Sequence, residues 1–338
     1  MRALFAAAIT LMALPAAADV DRTLLSFSDL NGWATDDHGA ALVAFQESCA
    51  DLDDPTWQPI CTVAFDAPNP RLFFETFFQP VLIEDGEPML FTGYFEPELR
   101  GSRTRKGRYQ TPLHAAPDTV GSGTLGPTRQ SIDEGALAGQ GLELAWIDDP
   151  VEAFFLHVQG SGRVRFDDGT TLRLGYGGAN GHPYRSIGKE MIRQEILGPH
   201  QVSAARIAQW VSENPVQGRE LLWHNPSYVF FRVVDHVPSE KGPLGAMNRS
   251  LTEMRSIAVD PNFTRLGAPV WIEKGGRDPL NRLMIAQDTG SAIDGAQRAD
   301  IFFGTGSDAG RAAGQIKDPG RMVVLLPTRQ AFAMVGDL

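Results

Sequence analysis

Residues 283–306, LMIAQDTGSAIDGAQRADIFFGTG, decide how the chain is read. Leu283-Met284-Ile285-Ala286 predicts a buried strand and Asp288-Thr289-Gly290-Ser291 a tight turn. Ala299 to Phe303 predicts a second strand, closed by Gly304-Thr305-Gly306. A carboxylate inside an apolar strand is costly unless it is paired, hydrogen-bonded or kept protonated. Asp300 is therefore the first candidate for chemistry. A structural role fits the local pattern equally well, with Asp288 and Asp300 each accepting backbone N–H groups across a turn.

Outward from this stretch, Ser256 to Val259, Pro269 to Ile272 and Met322 to Leu326 add short apolar runs. With the two strands above they predict a small barrel without strong helices. At the other end, residues 19–90 read as mixed and partly helical. Ala40 to Cys49 and Pro70 to Val81 carry helical spacing, and Phe73, Phe74, Phe77 and Phe78 read as core. Phe91 to Glu98 predicts a strand that stops around Pro97, and the polar, basic run from Arg100 to Tyr109 predicts a domain crossing.

The middle of the chain alternates short strands and turns. Ala153 to Val158, Arg163 to Phe166 and Thr170 to Leu174 are expected strands, the last two joined at Asp167-Asp168-Gly169. Ile187 to Ile196 and Ala204 to Asn214 are expected helices. Between them, Tyr176 to Tyr184 (YGGANGHPY) combines glycines, aromatics and amides. Aromatic faces and amides suit a sugar chain. An ordinary surface loop fits the same residues.

Length and composition set the frame. A chain of 338 residues exceeds one small core and suggests two domains. Hydrophobic residues at 43% and charged residues at 21% describe a globular chain, and 35 glycines with 23 prolines favour turns and β structure. A net charge of −11 argues against nucleic acid. Residues 1–18 carry a charged start, an apolar middle and the small-residue end Ala16-Ala17-Ala18, the pattern of an export signal. No cysteine stands at that end to take a lipid, and no later run is long and apolar enough to span a membrane. Cys49 and Cys61 are expected to form a disulfide in an oxidising compartment; two buried thiols are the alternative.

Several chemistries are set aside by their missing parts. Asp288-Thr289-Gly290-Ser291 matches the aspartic-protease turn, but that mechanism needs a second copy, and there is none. Gly160-Ser161-Gly162 is neither a dinucleotide loop nor the elbow of a serine hydrolase. The histidines show no metal-ligand spacing, so no metal and no cofactor is expected. A carboxylate-only site beside sugar-binding loops remains, which suits glycoside cleavage with Asp300 as proton donor.

The motifs together resemble the MltA family, the membrane-bound lytic murein transglycosylases A. They are Phe91 to Pro97 (FTGYFEP), Val158 to Gly162 (VQGSG), Asn180 to Lys189 (NGHPYRSIGK) and Asn225 to Phe231 (NPSYVFF). The C-terminal part resembles the 3D domain, with Asp260, Asp288 and Asp300 as its aspartates. The resemblance implies a mainly β fold with a long cleft. A double-psi β-barrel, with some N-terminal helices, would be built from residues 19–98 and 237–338. A smaller β-barrel, residues 99–236, would be inserted between them and bind glycan. It implies Asp300 as the single catalytic acid and base, with Asp288 beside it. Thr92, Tyr94, Gln159, Ser161, Tyr176, Asn180 and Tyr184 are expected to touch substrate, and Asp260 to be structural. The implied substrate is the glycan strand of peptidoglycan, cut to 1,6-anhydro-MurNAc ends by an exported, periplasmic monomer. Two departures are visible. The family's lipid-anchoring cysteine is missing, and Ser291 and Asp294 replace a glycine and a basic or polar residue of the motif. The alternatives are a hydrolytic muramidase, with Glu96 as a second carboxylate, and a non-catalytic glycan-binding protein.

Overall fold

The computed structural model describes residues 20–121 and 123–336, so the expected export signal lies outside the described residues. Two sheets organise the chain. The larger runs, in spatial order, through Asp21–Leu24, Phe78–Glu84, Gly320–Pro327, Pro269–Lys274, Leu280–Asp288, Ser256–Val259, Arg298–Thr305, Leu90–Glu96 and Lys317–Asp318. Both ends of the chain thus build one sheet. Two of its pairings are parallel, Ser256–Val259 with Leu280–Asp288 and Arg298–Thr305 with Leu90–Glu96.

Alternation along these strands explains why the sheet curls. Met284 and Ala286 join Phe91, Ile257, Val259, Val270, Ile272, Ala299 and Ile301 in one apolar cluster. Leu283 and Ile285, the intervening residues, join a different cluster with Trp271, Phe45, Trp57, Phe73 and Phe74. Strands apolar on both faces must be covered on both. One face closes on itself as the interior of a barrel, and the N-terminal helices His38–Ser48 and Pro70–Phe77 cover the other. Gln297 stitches the barrel, donating to the carbonyls of Ile83 and Met322 and accepting from the Met322 N–H.

The smaller sheet runs through Thr111–His114, Glu143–Ile147, Glu98–Ser102, Gly162–Phe166, Thr171–Ala179 and Val229–Val233. A bridge between Ala115 and Phe231 joins its two edges, so this sheet is also nearly closed. The chain passes from one sheet to the other at Pro97, before the basic run expected to mark the crossing. Glu96 sits at this passage with 0% exposure, paired with Arg163 at 2.8 Å and Arg173 at 3.2 Å and accepting from the Thr305 hydroxyl. Among the described residues no helix is long and apolar enough to cross a membrane.

Several local expectations are corrected. Ala153 to Val158 is not a strand but part of the helix Pro150–Gln159. Asp149 caps it by accepting from the N–H of Val151 at 2.7 Å, Pro150 opens it, and Gly160 ends it in the left-handed conformation. The helix from Pro70 ends at Phe77, and Phe78 to Val81 are already strand. The C-terminal third contains two helices that were not expected, Ser307–Ala313 and Thr328–Gly336. Tyr176 to Ala179 belong to a strand, not to a loop. Gly177 is required there, because a Cβ would lie 2.7 Å from the backbone of Phe231.

Cys49 and Cys61 are disulfide-bonded, tying the helix bearing Phe45 to the one bearing Ile60. The bridge closes a loop with a sequence separation of 12. Replacing both cysteines by alanine should cost about 3 kcal/mol. An unchanged midpoint in urea would show that the surrounding core holds these helices alone.

Candidate active site

A cavity of about 780 Å³ opens between the two sheets, and Asp288 and Asp300 stand on its barrel side. Alternation places Asp300. Its neighbours Ala299 and Ile301 fill the barrel interior, so Asp300 faces the opposite way, toward the cavity. Asp288 reaches the same face by a different route. Met284 and Ala286 point inward, and regular alternation would send Asp288 inward with them. The register shifts between Ile257 and Ala258: Ile257 pairs with Ala286, but Ala258 pairs with Asp288. The extra residue, Gln287, turns instead to Ser256, Ser48 and the carbonyl of Ala44. Asp300 pairs with Ala258 from the other side. The bulge thus sets both aspartates beside one alanine, with backbones roughly 10 Å apart across the intervening strand.

Asp300 is held by a relay. Parallel pairing sets Thr92 directly alongside, and its hydroxyl donates to Oδ1 at 2.8 Å. The Arg298 guanidinium donates to the same Thr92 oxygen at 2.8 Å, which directs the hydroxyl hydrogen toward the aspartate. Among the described residues no cation lies within salt-bridge distance of Asp300, and no donor reaches its Oδ2. Burial pushes its carboxyl up to about 6, against the Thr92 hydrogen bond and the Arg298 charge. The leading cause is burial.

Asp288 is engaged on both oxygens. Oδ1 accepts from the N–H groups of Ala246 at 2.9 Å and Thr289 at 3.0 Å, and Oδ2 accepts from the Tyr94 hydroxyl at 3.0 Å. Tyr94 lies three positions from Asp288 in the sheet order, about 14 Å in a flat sheet, so this contact exists only because the barrel curls. Burial raises Asp288 to about 6, and the charge of Asp300 adds to it. Burial and the two carboxylates hold Tyr94 well above its ordinary pKa, so the phenol remains a donor.

The other expected site residues divide. Tyr94, Gln159, Ser161, Tyr176 and Tyr184 all line the cavity, with Tyr176 56% and Tyr184 39% exposed. Gln159 also accepts from the Phe95 N–H across the gap between the sheets. Thr92 does not line it; its hydroxyl is engaged by Asp300 and Arg298. Asn180 does not either. It is 2% exposed, donates to the carbonyls of Pro127 and Pro226, and accepts from the Tyr228 N–H. Asp260 is buried and accepts from the N–H groups of Asn262 and Gly295, which anchors the loop after Asp288. Glu96, locked between two arginines, is absent from the cavity wall. Arg298 and the Ala246 N–H were missed. Arg298 sits two residues before Asp300, on the same strand face, which was the available signal; the Ala246 contact leaves no mark in the sequence.

Thr92→Val should move the titration of Asp300 upward, because the lost hydrogen bond favours the carboxylate. A pH–rate profile or carboxyl NMR titration measures it. A downward move would mean that Arg298, released from Thr92, closes on the aspartate.

Comparison with known proteins decides the family. Residues 90–232 match the model of the MltA specific insert domain, and residues 255–326 match the 3D domain. The chain is 35% identical over 262 residues to the membrane-bound lytic murein transglycosylase A of Vibrio cholerae, covering 73% of this chain and 68% of that one. The chain belongs to the MltA family of lytic murein transglycosylases. The family's Escherichia coli K12 member is 36% identical over 245 residues, 70% of this chain and 65% of that one. The crystal structure of MltA from Neisseria gonorrhoeae superposes with a TM-score of 0.79 at 34% identity, covering 91% and 93% of the two chains. That of the membrane-bound lytic murein transglycosylase from Agrobacterium tumefaciens gives 0.82 at 31%, covering 93% and 99%. E. coli MltA solved with bound chitohexaose gives 0.72 at 28%, covering 88% and 90%. The MltA architecture, a double-psi β-barrel with a smaller inserted barrel, is the fold of this chain.

Proposed function

We propose that the protein cleaves the β-1,4 bond between MurNAc and GlcNAc in peptidoglycan and leaves 1,6-anhydro-MurNAc ends, with Asp300 as the single acid and base. The observation that carries this reading is the asymmetry of the pair. Burial raises both carboxyls to about 6, but among the described residues no donor reaches Oδ2 of Asp300, whereas both oxygens of Asp288 are engaged. A protonated Oδ2 of Asp300 donates to the bridging oxygen as the C1–O4 bond breaks, and the GlcNAc hydroxyl leaves. The resulting carboxylate then takes the proton of the muramic acid 6-hydroxyl as O6 closes on C1. No water and no enzyme nucleophile is required, so no second catalytic carboxylate is needed; this departs from the two-carboxylate scheme of hydrolases. Asp288, held by Tyr94 and two backbone N–H groups, stabilises the positive charge that develops on the sugar ring. The export-signal pattern of residues 1–18 supports action in the periplasm, where the substrate lies.

Two measurements test this. Mass spectrometry of products from purified murein should give ends one water lighter than reducing-end muropeptides; reducing ends would assign a hydrolase instead, and no fragment at all a binding protein. The pH profile has a definite sign. The acid must begin protonated, so the rate should fall as pH rises through about 6, the value to which burial lifts Asp300. A rate that keeps rising through neutral pH would remove Asp300 as the acid.

A further inference from the structure

The same cavity has a second polar cluster, on its inserted-barrel side, that the chemistry above does not use. Arg129 and His157 line the wall there, 4% and 5% exposed. The Arg129 guanidinium donates to the carbonyl of Asn225 at 3.2 Å, the carbonyl of Ser227 at 2.7 Å and Nδ1 of His157 at 2.9 Å. It lies 4.6 Å from the Phe154 ring centre and 5.2 Å from that of Tyr228. Among the described residues no carboxylate lies within 4.0 Å of it; Asp133, whose charge it feels, is engaged by the Trp223 indole at 2.7 Å. A cation this deeply buried is costly without a counter-ion.

The histidine adds to the imbalance. A guanidinium only donates, so His157 Nδ1 must accept and its hydrogen must sit on Nε2. Burial and the adjacent Arg129 hold the ring neutral. Its Nε2 is buried without a hydrogen-bond partner among the described residues. Asn180 steadies this wall by gripping Pro127 and Pro226, which precede Arg129 and Ser227. A buried cation and a histidine with an unmatched donor thus line the same cavity as the two aspartates.

We propose that this wall is a subsite for a carboxylate carried by the muramic acid unit, with Arg129 as its counter-ion and His157 Nε2–H as a second donor. The assignment rests on the peptidoglycan reading above. In strands without peptide the carboxylate is that of the 3-O-lactyl group; in peptide-bearing strands the lactyl group is an amide and the acid belongs to the stem peptide. Chitin-type strands have neither.

The test compares the full-length protein on three purified substrates: peptide-free GlcNAc–MurNAc oligomers, the same oligomers with the lactyl carboxylate capped as a methylamide, and peptide-bearing strands. Capping should lower kcat/KM by about 10- to 100-fold, the range of a lost charge-assisted hydrogen bond in a buried site. Peptide-bearing strands cleaved as fast as peptide-free ones assign the acid to either source; slower cleavage assigns it to the lactyl group. Arg129→Gln should bring the acidic and capped rates together, and Arg129→Lys should restore part of the gap. If the glutamine variant does not fold, the wild-type comparison decides alone. Equal rates on acidic and capped oligomers overturn the subsite and leave the lytic reading intact. Absence of anhydro ends from every substrate overturns that reading instead.

Discussion

Asp300→Asn is expected to abolish murein lysis, by about 10²- to 10⁴-fold, while making the protein more stable. The first effect follows because the amide cannot deliver the proton. The second has a sign that can be worked out. The folded state raises the Asp300 pKa from 3.8 to about 6, so the folded chain holds this proton more tightly than the unfolded chain. That contribution is fully present below the unfolded value and is lost as pH rises to about 6. Above it, the wild type carries an ionised carboxylate that the fold disfavours, at a cost of about 1–3 kcal/mol. The variant has no such cost. Its lead in melting temperature should therefore open between pH of about 4 and 6 and then stay constant. Thr92 can still donate to the amide oxygen, so the geometry is retained. A folded variant that lyses murein at the wild-type rate leaves Asp300 without a catalytic role.

Glu96→Ala should produce the largest loss of stability, about 3–5 kcal/mol, because it strands two arginines beside an empty space. Arg163 and Arg173 come from neighbouring strands of the smaller sheet, while Glu96 and Thr305 belong to the larger one. The same arginines hold the returning chain, donating to the carbonyls of Pro238 and Lys241. One buried carboxylate therefore ties both sheets and the segment that leads back. The melting midpoint should fall by about 6–10 °C. Glu98→Ala is the control. Its partner Arg165 has a side chain 59% exposed, and an exposed pair contributes at most about 1 kcal/mol. Equal losses in the two variants would show that burial does not set the strength of the Glu96 site.

Asp300 was legible in the sequence because a carboxylate between alanine and isoleucine contradicts the strand around it. The same contradiction appears in the structure as burial and a raised pKa. The barrel strands were legible for a related reason, since their apolar runs are short and bounded by turn residues. AFFLHV was misread because a brief apolar run fits a buried strand or a buried helix, and the deciding signals lay just outside it, at Asp149-Pro150 and Gly160. Asn180 looked like a sugar ligand, yet its amide holds four backbone groups inside the fold. Glu96 was weighed as a catalytic partner for Asp300, but its arginines are 67 and 77 positions away and no local pattern announces them. Contacts between distant segments, and hydrogen bonds from bare backbone such as the one from Ala246, were beyond a local reading.

The bulge at Gln287 means that the chemistry of this fold is counted as well as composed. A substitution nearby changes a contact, but straightening the strand with every residue kept would change phase, turning each side chain beyond that point to the opposite face. A descendant gene could keep all three aspartates of the domain intact and still encode an inert protein, its second carboxylate folded inward among methionine and alanine. Functional relatives should therefore keep the two-against-one pairing at this point, or lose a single residue together with it.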